Sequence, residues 1–484
     1  MTSSGTQSRS SKFLKDLGIY AIGNLGSKII TFAMVPLYTF FVEDTAHFGY
    51  YDLCLTAIFL IMPFATLQLR DGAFRFLLET QDNERRDKIV TFVYRTLLSS
   101  FILCVIATVM LATFTSIDHL WYCLGLLLAM SLMEVISQVA RGLGNNKAFV
   151  TAGILSATGI GVLSILLVAF LGMGIKGIFI ANILARVVAA VYLELRLKII
   201  STHFKFHITL SQVGRDILKY SLPLLPGSLC WWLTGSSDRW FINHYLGLDV
   251  NGLYAVALRF NGIILTLATI FYQAWQETAI MQYNSSDRDK FFSKIFNSYI
   301  GILAIVLTVY TFTLKIFYPI IVDANYQESA SYLYLMGISA VIFALVAFFD
   351  MGYQCAKDTP RTLPAIILAA IVNVVCNLLL VKHMGVYGAI ATSIITHTVL
   401  LLYRLHDMKR YFKLSYYPTT SLAVAVMALG ILPYHLLNSW WLALCYMLLA
   451  SLVAFYSIPA ETRKEIKSKI RGALRHAAHA PFQQ

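Results

Sequence analysis

From residue 18 to residue 458 the chain alternates between long apolar runs and short polar breaks. Most runs reach about 20 residues or more, the length an α-helix needs to cross a ~30 Å hydrocarbon core. Reading runs against breaks predicts 14 spans: 18–42, 50–78, 89–114, 120–140, 148–171, 175–197, 217–246, 252–281, 293–319, 329–353, 362–381, 385–408, 415–435 and 438–458. The expected fold is therefore an all-α polytopic membrane protein. The polar start "MTSSGTQSRSSKFLKD" precedes a run too long for a signal-peptide core, so no cleavable leader is expected.

The breaks alternate in character. One set is short and nearly free of Lys and Arg: "EDTAHFG", "SIDH", "GLDVN", "VDANYQE". The other is basic: "QDNERRDK", "RGLGNNK", "SSDRDK", "KDTPR", "HDMKRYFK" and the tail. Of the 38 Lys and Arg, 28 fall on the side shared by both termini, Lys176 and Lys382 fall opposite, and eight lie inside spans. The bias places both termini in the cytoplasm. It also explains the net charge of +13 as a topology signal rather than a nucleic-acid footprint. Composition agrees: 58% of the 484 residues are hydrophobic and 13% charged, where a soluble chain carries roughly a quarter. The seven cysteines form no CxxC or Cys/His cluster, so packing is expected of them rather than disulfides or a metal site.

The chain also resembles itself. "RDK" at 86–88 recurs at 288–290, and "FGYYD" at 48–52 aligns with "NGLYA" at 251–255. Gly142 and Lys147 answer Gly352 and Lys357, and "MGIKG" at 173–177 answers "MGVYG" at 384–388. The matches keep their order, which points to a duplicated six-span unit. An even number of spans gives both copies the same orientation, with a central cavity between them. The expected organisation is an N-terminal segment at 1–17, an N-lobe at 18–200, a linker at 201–216, a C-lobe at 217–410, two further helices at 411–458 and a basic tail at 459–484. The tail reads either as an amphipathic helix on the anionic leaflet or as a disordered basic segment.

No nucleotide-binding loop, nucleophile–base pair or zinc spacing appears, so the chain is read as a secondary transporter without catalytic residues, metal or cofactor. The informative residues are the eight cations inside spans: Lys28, Arg70, Arg75, Arg95, Arg186, Arg239, Arg259 and Lys315. Ionisable groups in hydrocarbon are costly and normally face a protein interior or a watery cavity. Arg75, Arg95 and Lys315 lie near span ends and can snorkel. Lys28, Arg70, Arg186, Arg239 and Arg259 lie deeper, and together they fit an anionic substrate, above all phosphate. Glu134, Asp238 and Asp350 are the buried acids, able to neutralise one of the arginines or to bind a coupling ion. "WWLTGSSDRWFINHY" and "FYQAWQE" set aromatic and amide side chains beside the cations, suited to sugar rings, although an interfacial aromatic belt accounts for many of them. Pro36, Pro63, Pro223 and Pro226 predict bends. In "TLQLRDGAFRFLLE", which continues span 2 without a visible turn, Asp71, Arg75 and Glu79 are spaced for an ion-pair ladder, and Arg70 points away from it.

With 14 spans, a six-plus-six repeat and these loops, the chain resembles the polysaccharide-transporter branch of the multidrug/oligosaccharidyl-lipid/polysaccharide exporter superfamily. The residues that carry the resemblance are "GIYAIGNLGSKIITFAMVPLYTFF", "FGYYDL", "RGLGNNK" and the "MGIKG"/"MGVYG" pair. It implies an inner-membrane flippase for an undecaprenyl-diphosphate-linked oligosaccharide, an O-antigen or capsule repeat unit. It also implies that spans 1, 2, 7 and 8 line the central cavity. Lys28, Arg70, Arg239 and Arg259 would then meet the diphosphate-sugar headgroup, with Arg186 less central. Membrane lipids, H+ or Na+ and the polysaccharide polymerase machinery are the partners it implies.

Two other readings compete. A drug or cation antiporter of the same superfamily would want acidic residues where this chain has cations. A membrane glycan polymerase or ligase would carry a large loop with catalytic residues, and the breaks here are short.

Overall fold

A computed structural model describes residues 30, 32–42, 44–205, 212–356 and 358–464. Among them every regular element is a helix, and each of the 14 expected spans has a helical counterpart. In chain order these are α1 (Phe32–Phe41), α2 (Thr45–Thr66), α3 (Leu69–Glu79), α4 (Asn83–Phe114), α5 (Leu120–Gly142), α6 (Asn146–Phe170), α7 (Gly174–Leu197) and the short α8 (Ile199–His203). There follow α9 (Gln212–Ser221), α10 (Leu225–Ser236), α11 (Asp238–Leu246), α12 (Leu248–Gln282), α13 (Arg288–Ile321), α14 (Leu333–Cys355), α15 (Thr362–Met384), α16 (Val386–Met408), α17 (Thr420–Leu429), α18 (Ile431–Leu436) and α19 (Trp440–Ser457). Among the described residues eleven helices are long and apolar enough to cross a membrane; α1 and the α17–α18 pair are shorter apolar helices.

The described chain forms two compact units. The first runs to Arg259 and takes in Asn377–Val386; the second comprises Phe260–Cys376 and the chain from Tyr387 onward. In the first unit Leu69, Ala73 and Leu77 line one face of α3 and pack into a core with Val90, Val93 and Leu97 of α4 and Val135 and Val139 of α5. The rest of α4 turns outward, exposing Leu98, Ile102, Leu103 and Met110. Such a surface is stable in contact with lipid chains, where the helix satisfies its own backbone and presents only hydrocarbon.

Two expectations about continuity are corrected. Span 2 is broken. Leu67 and Gln68 both adopt left-handed backbone conformations (φ 49° and 53°) between α2 and α3, although neither is a glycine. Pro63 lies inside the last turn of α2, where its carbonyl accepts from the Gln68 nitrogen (3.1 Å), and the Gln68 side-chain amide hydrogen-bonds the Ser228 hydroxyl. Span 7 is also interrupted: Pro223 and Pro226 fall in and just after a tight 3-10 turn at Leu222–Leu224 that separates α9 from α10. Missing backbone donors at proline explain the kink.

The duplication has a direct structural expression at one point. A Cβ placed on Gly49 would collide with the carbonyl oxygen of Leu248 and lie 2.7 Å from the backbone nitrogen of Gly252. A Cβ on Gly252 would collide with the carbonyl oxygen of Thr45 and lie 3.3 Å from the backbone nitrogen of Gly49. Gly49 and Gly252 are equivalent positions of the aligned segments "FGYYD" and "NGLYA", and Thr45 and Leu248 correspond at the same offset just before them. The starts of α2 and α12 thus cross backbone to backbone about a local two-fold. The Asn251 side chain donates to the Gly49 carbonyl (2.8 Å) and the Thr45 hydroxyl to Asp249 (2.8 Å).

In the second unit Asn297 of α13 is wholly buried and fixes the chain between α16 and α17. Its amide donates to the Ser415 carbonyl (2.9 Å), and its oxygen accepts from the Tyr417 nitrogen (3.0 Å) and the Thr420 hydroxyl (2.6 Å). Gly301, one turn on, lets α19 approach α13 closely at Ala454 and Ser457. The two helices beyond the repeat are therefore built into the unit rather than appended loosely.

Candidate functional site

The first unit holds a half-open cavity of about 490 Å³ lined by α1, α2, α5, α6 and α7, with Arg259 of α12 on its wall. Most of its wall is apolar, for example Met34, Leu55, Phe59 and Met133. Its polar groups are Tyr38, Tyr51, Asp52, Ser156, Asn182, Arg186 and Arg259.

Arg186 is oriented by its own helix. One of its terminal nitrogens donates to the Asn182 carbonyl (2.9 Å) and to the Asn182 side-chain oxygen (2.7 Å) one turn earlier on α7. The guanidinium of Arg259 lies against aromatic rings, 4.4 Å from the Phe48 centroid, 5.4 Å from Tyr38 and 5.9 Å from Tyr51. Such contacts steady a cation without cancelling its charge. Among the described residues neither arginine has a carboxylate within 4.0 Å. The family resemblance made Arg186 less central than the other deep cations; in the fold it lines one cavity with Arg259.

Arg239 and Arg70 are placed differently. The buried Arg239 pairs with Asp52 (2.8 Å) and with Asp238 (3.5 Å), and Asp238 accepts a hydrogen bond from the Tyr254 hydroxyl. Two carboxylates around one guanidinium leave no positive surplus there. Arg70 pairs with Glu134 of α5 and with Asp71 (3.3 Å). The ladder expected through Asp71, Arg75 and Glu79 is thereby corrected to one rung, Arg75–Glu79 at 3.0 Å. The break at Leu67–Gln68 makes Asp71 a first-turn residue of a new helix, beside Arg70. Lys28 lies outside the described residues.

The half-exposed Arg70–Glu134 pair gives a first prediction. Arg70→Ala should lower stability by about 1–2 kcal/mol, between an exposed pair and a buried one, because it strands Glu134. Thermal unfolding of the purified protein measures this, and Arg70→Ala with Glu134→Gln should recover most of the loss.

Each of the three acids considered for ion coupling is paired with an arginine: Glu134 with Arg70, Asp238 with Arg239 and, in the second unit, Asp350 with Arg404. Arg404, near the end of the expected span 385–408, is not among the eight cations singled out in the sequence, yet its side chain is only 1% exposed. Asp52 was also overlooked, although an acid inside "FGYYDLCLTAIF" was a visible signal. Of the snorkelling candidates, Arg75 sits at an exposed position and Arg95 is half-buried, donating to the Lys205 carbonyl (3.3 Å). Lys315 instead caps α18, donating to the carbonyls of Tyr434 and Leu437 (2.8 Å to the latter).

An all-helical, multi-span chain built this way has the fold of the MOP-superfamily transporters. It is similar to the lipid II flippase MurJ in an inward closed conformation, with a TM-score of 0.70 at 15% identity over 92% of this chain and 99% of that one. It is also similar to an inward-facing multidrug resistance MATE family transporter of the MOP superfamily (TM-score 0.59, 14% identity, 81% of this chain and 98% of that one). A third similar structure is a MOP superfamily transporter from Pyrococcus furiosus, described by the reverse polarity of its binding pocket (TM-score 0.53, 16% identity, 82% and 96%). No curated protein sequence matches. The chain belongs to the polysaccharide biosynthesis protein family, whose model matches residues 13–276.

Proposed function

We propose that the protein is a flippase. It moves a polyprenyl-diphosphate-linked oligosaccharide, such as an O-antigen, capsule or exopolysaccharide repeat unit, from the cytoplasmic to the periplasmic leaflet by alternating access. It works in a bacterial inner membrane with both termini in the cytoplasm. The observation that carries this reading is the sign of the cavity: among the described residues neither Arg186 nor Arg259 has a carboxylate within 4.0 Å, and the acid on the wall, Asp52, pairs with Arg239. A transporter of cationic drugs would need the opposite sign. Guanidinium donors suit the phosphate oxygens of a diphosphate. Cargo of that charge also gains about 2.3 kcal/mol per unit charge per 100 mV on leaving an inside-negative cell. Membership of a polysaccharide biosynthesis family supports the sugar-bearing cargo.

The test is reconstitution in liposomes with a labelled polyprenyl-diphosphate oligosaccharide. The unaltered protein should carry the label to the opposite leaflet. Arg259→Gln and Arg186→Gln should each slow transfer about 10–100-fold at unchanged protein level, the effect of losing one charge-assisted hydrogen bond of about 1.5–3 kcal/mol. Absence of transfer by the unaltered protein, alongside efflux of cationic dyes, would sink the proposal.

A further inference from the structure

Packing is the role that the sequence suggests for the seven cysteines, but the fold gives two of them a chemical partner. Cys54 stands in the third turn of α2 and Cys123 in the first turn of α5, both within the first unit. Their thiols are hydrogen-bonded to each other, and both are unoxidised and half-buried. The contact is set by the turn before it. One turn earlier on each side, the Tyr50 and His119 rings meet edge-on with centroids 6.0 Å apart, and the Tyr50 hydroxyl donates to the Asp118 carbonyl. The Cys123 nitrogen in turn donates to the His119 carbonyl (3.0 Å), which stacks Cys123 directly over His119. Only α3 and the return crossing of α4 separate α2 from α5 in the chain, so the two run in the same direction. Tyr50 to Cys54 and His119 to Cys123 are both steps of four residues, so the register that joins the rings also sets sulfur against sulfur. Phe179 of α7, 6.2 Å from the His119 ring, closes the cluster from a third helix.

We infer that Cys54 and Cys123 are a redox-active dithiol that closes to a disulfide and thereby ties α2 to α5. The oxidant is a low-molecular-weight disulfide, RS–SR. The thiolate of one cysteine attacks one of its sulfurs, forming a mixed disulfide and releasing RS⁻, which takes up the proton that cysteine lost. The second cysteine, losing its own proton, displaces the other RS⁻ from the mixed disulfide. Two cysteine thiols are oxidised, and RS–SR is reduced to two RSH. Cys123 is the better first nucleophile, because the dipole of α5 favours a thiolate in the first turn of the helix. Size selects the oxidant: both sulfurs are half-buried within spanning helices, where a small disulfide reaches them and a folded oxidoreductase does not. Bond formation shortens the hydrogen-bonded contact to about 2.05 Å, which draws α2 toward α5. These two helices supply Tyr51, Asp52, Leu55 and Phe59, and Met130 and Met133, to the wall of the cavity. In the oxidised protein that wall no longer adjusts, and transport slows. The effect on transport rests on the flippase reading; the pairing of the thiols does not.

Two measurements test the dithiol and its effect separately. In the first, the purified full-length protein is treated with 4,4′-dithiodipyridine, quenched with N-ethylmaleimide and digested for mass spectrometry without reduction. The expected product is the α2 peptide joined to the α5 peptide through Cys54 and Cys123, and dithiothreitol should separate them. In Cys54→Ser the α5 peptide should instead carry a pyridyl adduct on Cys123. Separate pyridyl adducts on the two cysteines of the unaltered protein, or no reaction at either, overturn the inference. In the second, flipping of the labelled lipid is measured in liposomes before oxidation, after it and after reduction. Oxidation should slow transfer at least about tenfold, the effect of depopulating one conformation of the cycle, and dithiothreitol should restore it. The Cys54→Ser, Cys123→Ser double variant should transfer at one rate throughout. Equal rates in the linked and reduced protein overturn the effect on the cavity while leaving the flippase reading intact. A link that forms in a protein transferring no lipid in either state upholds the dithiol and removes the flippase reading.

Discussion

Replacing Gly252 with valine should reduce transport to background while leaving the protein in the membrane. The start of α12 crosses the start of α2 with no room for a Cβ at either Gly49 or Gly252; each glycine faces a backbone carbonyl of the other helix. A valine cannot be absorbed by a rotamer change, because the atom it meets is main chain. The helices would have to part, breaking the Asn251–Gly49 and Thr45–Asp249 hydrogen bonds that close the crossing. Overpacking of this kind costs about 1–3 kcal/mol, enough to depopulate one conformation of an alternating transporter by about 10–100-fold. The closure can be read directly. In a background lacking the seven native cysteines, Thr45→Cys with Asp249→Cys should cross-link readily, and adding Gly252→Val should suppress the link in parallel with transport. Gly252→Ala should give an intermediate loss. Cross-linking and transport that both survive the valine would show that this crossing is no part of the cycle.

That crossing also marks how far the sequence could be read. The apolar spans and the alignment of Gly49 with Gly252 were legible, since hydrophobic run length and a recurring glycine are local signals; that the two glycines meet was not. The break at Leu67–Gln68 was not. Neither residue favours a left-handed conformation, and the partner that holds the turn, Ser228, is 160 residues away. For the site, depth in a span identified Arg186 and Arg259 as cations needing an explanation. It could not say which arginines were already neutralised, because Asp52 meets Arg239 and Glu134 meets Arg70 only through the tertiary fold. Charge at depth is legible in a sequence, whereas its compensation depends on packing between distant spans.

Compensation governs the last prediction, which concerns Arg404 and Asp350 in the second unit. Arg404 is among the largest fully buried side chains; it pairs with Asp350 and donates to the Val346 carbonyl (3.1 Å). Removing either partner strands a charge inside the membrane-spanning region, so Arg404→Met and Asp350→Leu should each cost about 3–5 kcal/mol and sharply lower the yield of folded protein. Joint replacement removes both charges, and buried ion pairs exchanged for apolar residues of similar size often lose little stability. The double variant should therefore regain the yield of the unaltered protein. Transport by that variant then separates two roles for Asp350. If the pair is structural, flipping returns with the folded protein. If Asp350 binds a coupling ion and Arg404 only holds it in place, the double variant folds but does not transport. Because Arg404 engages Asp350 directly and its side chain is only 1% exposed, the structural outcome is the one expected.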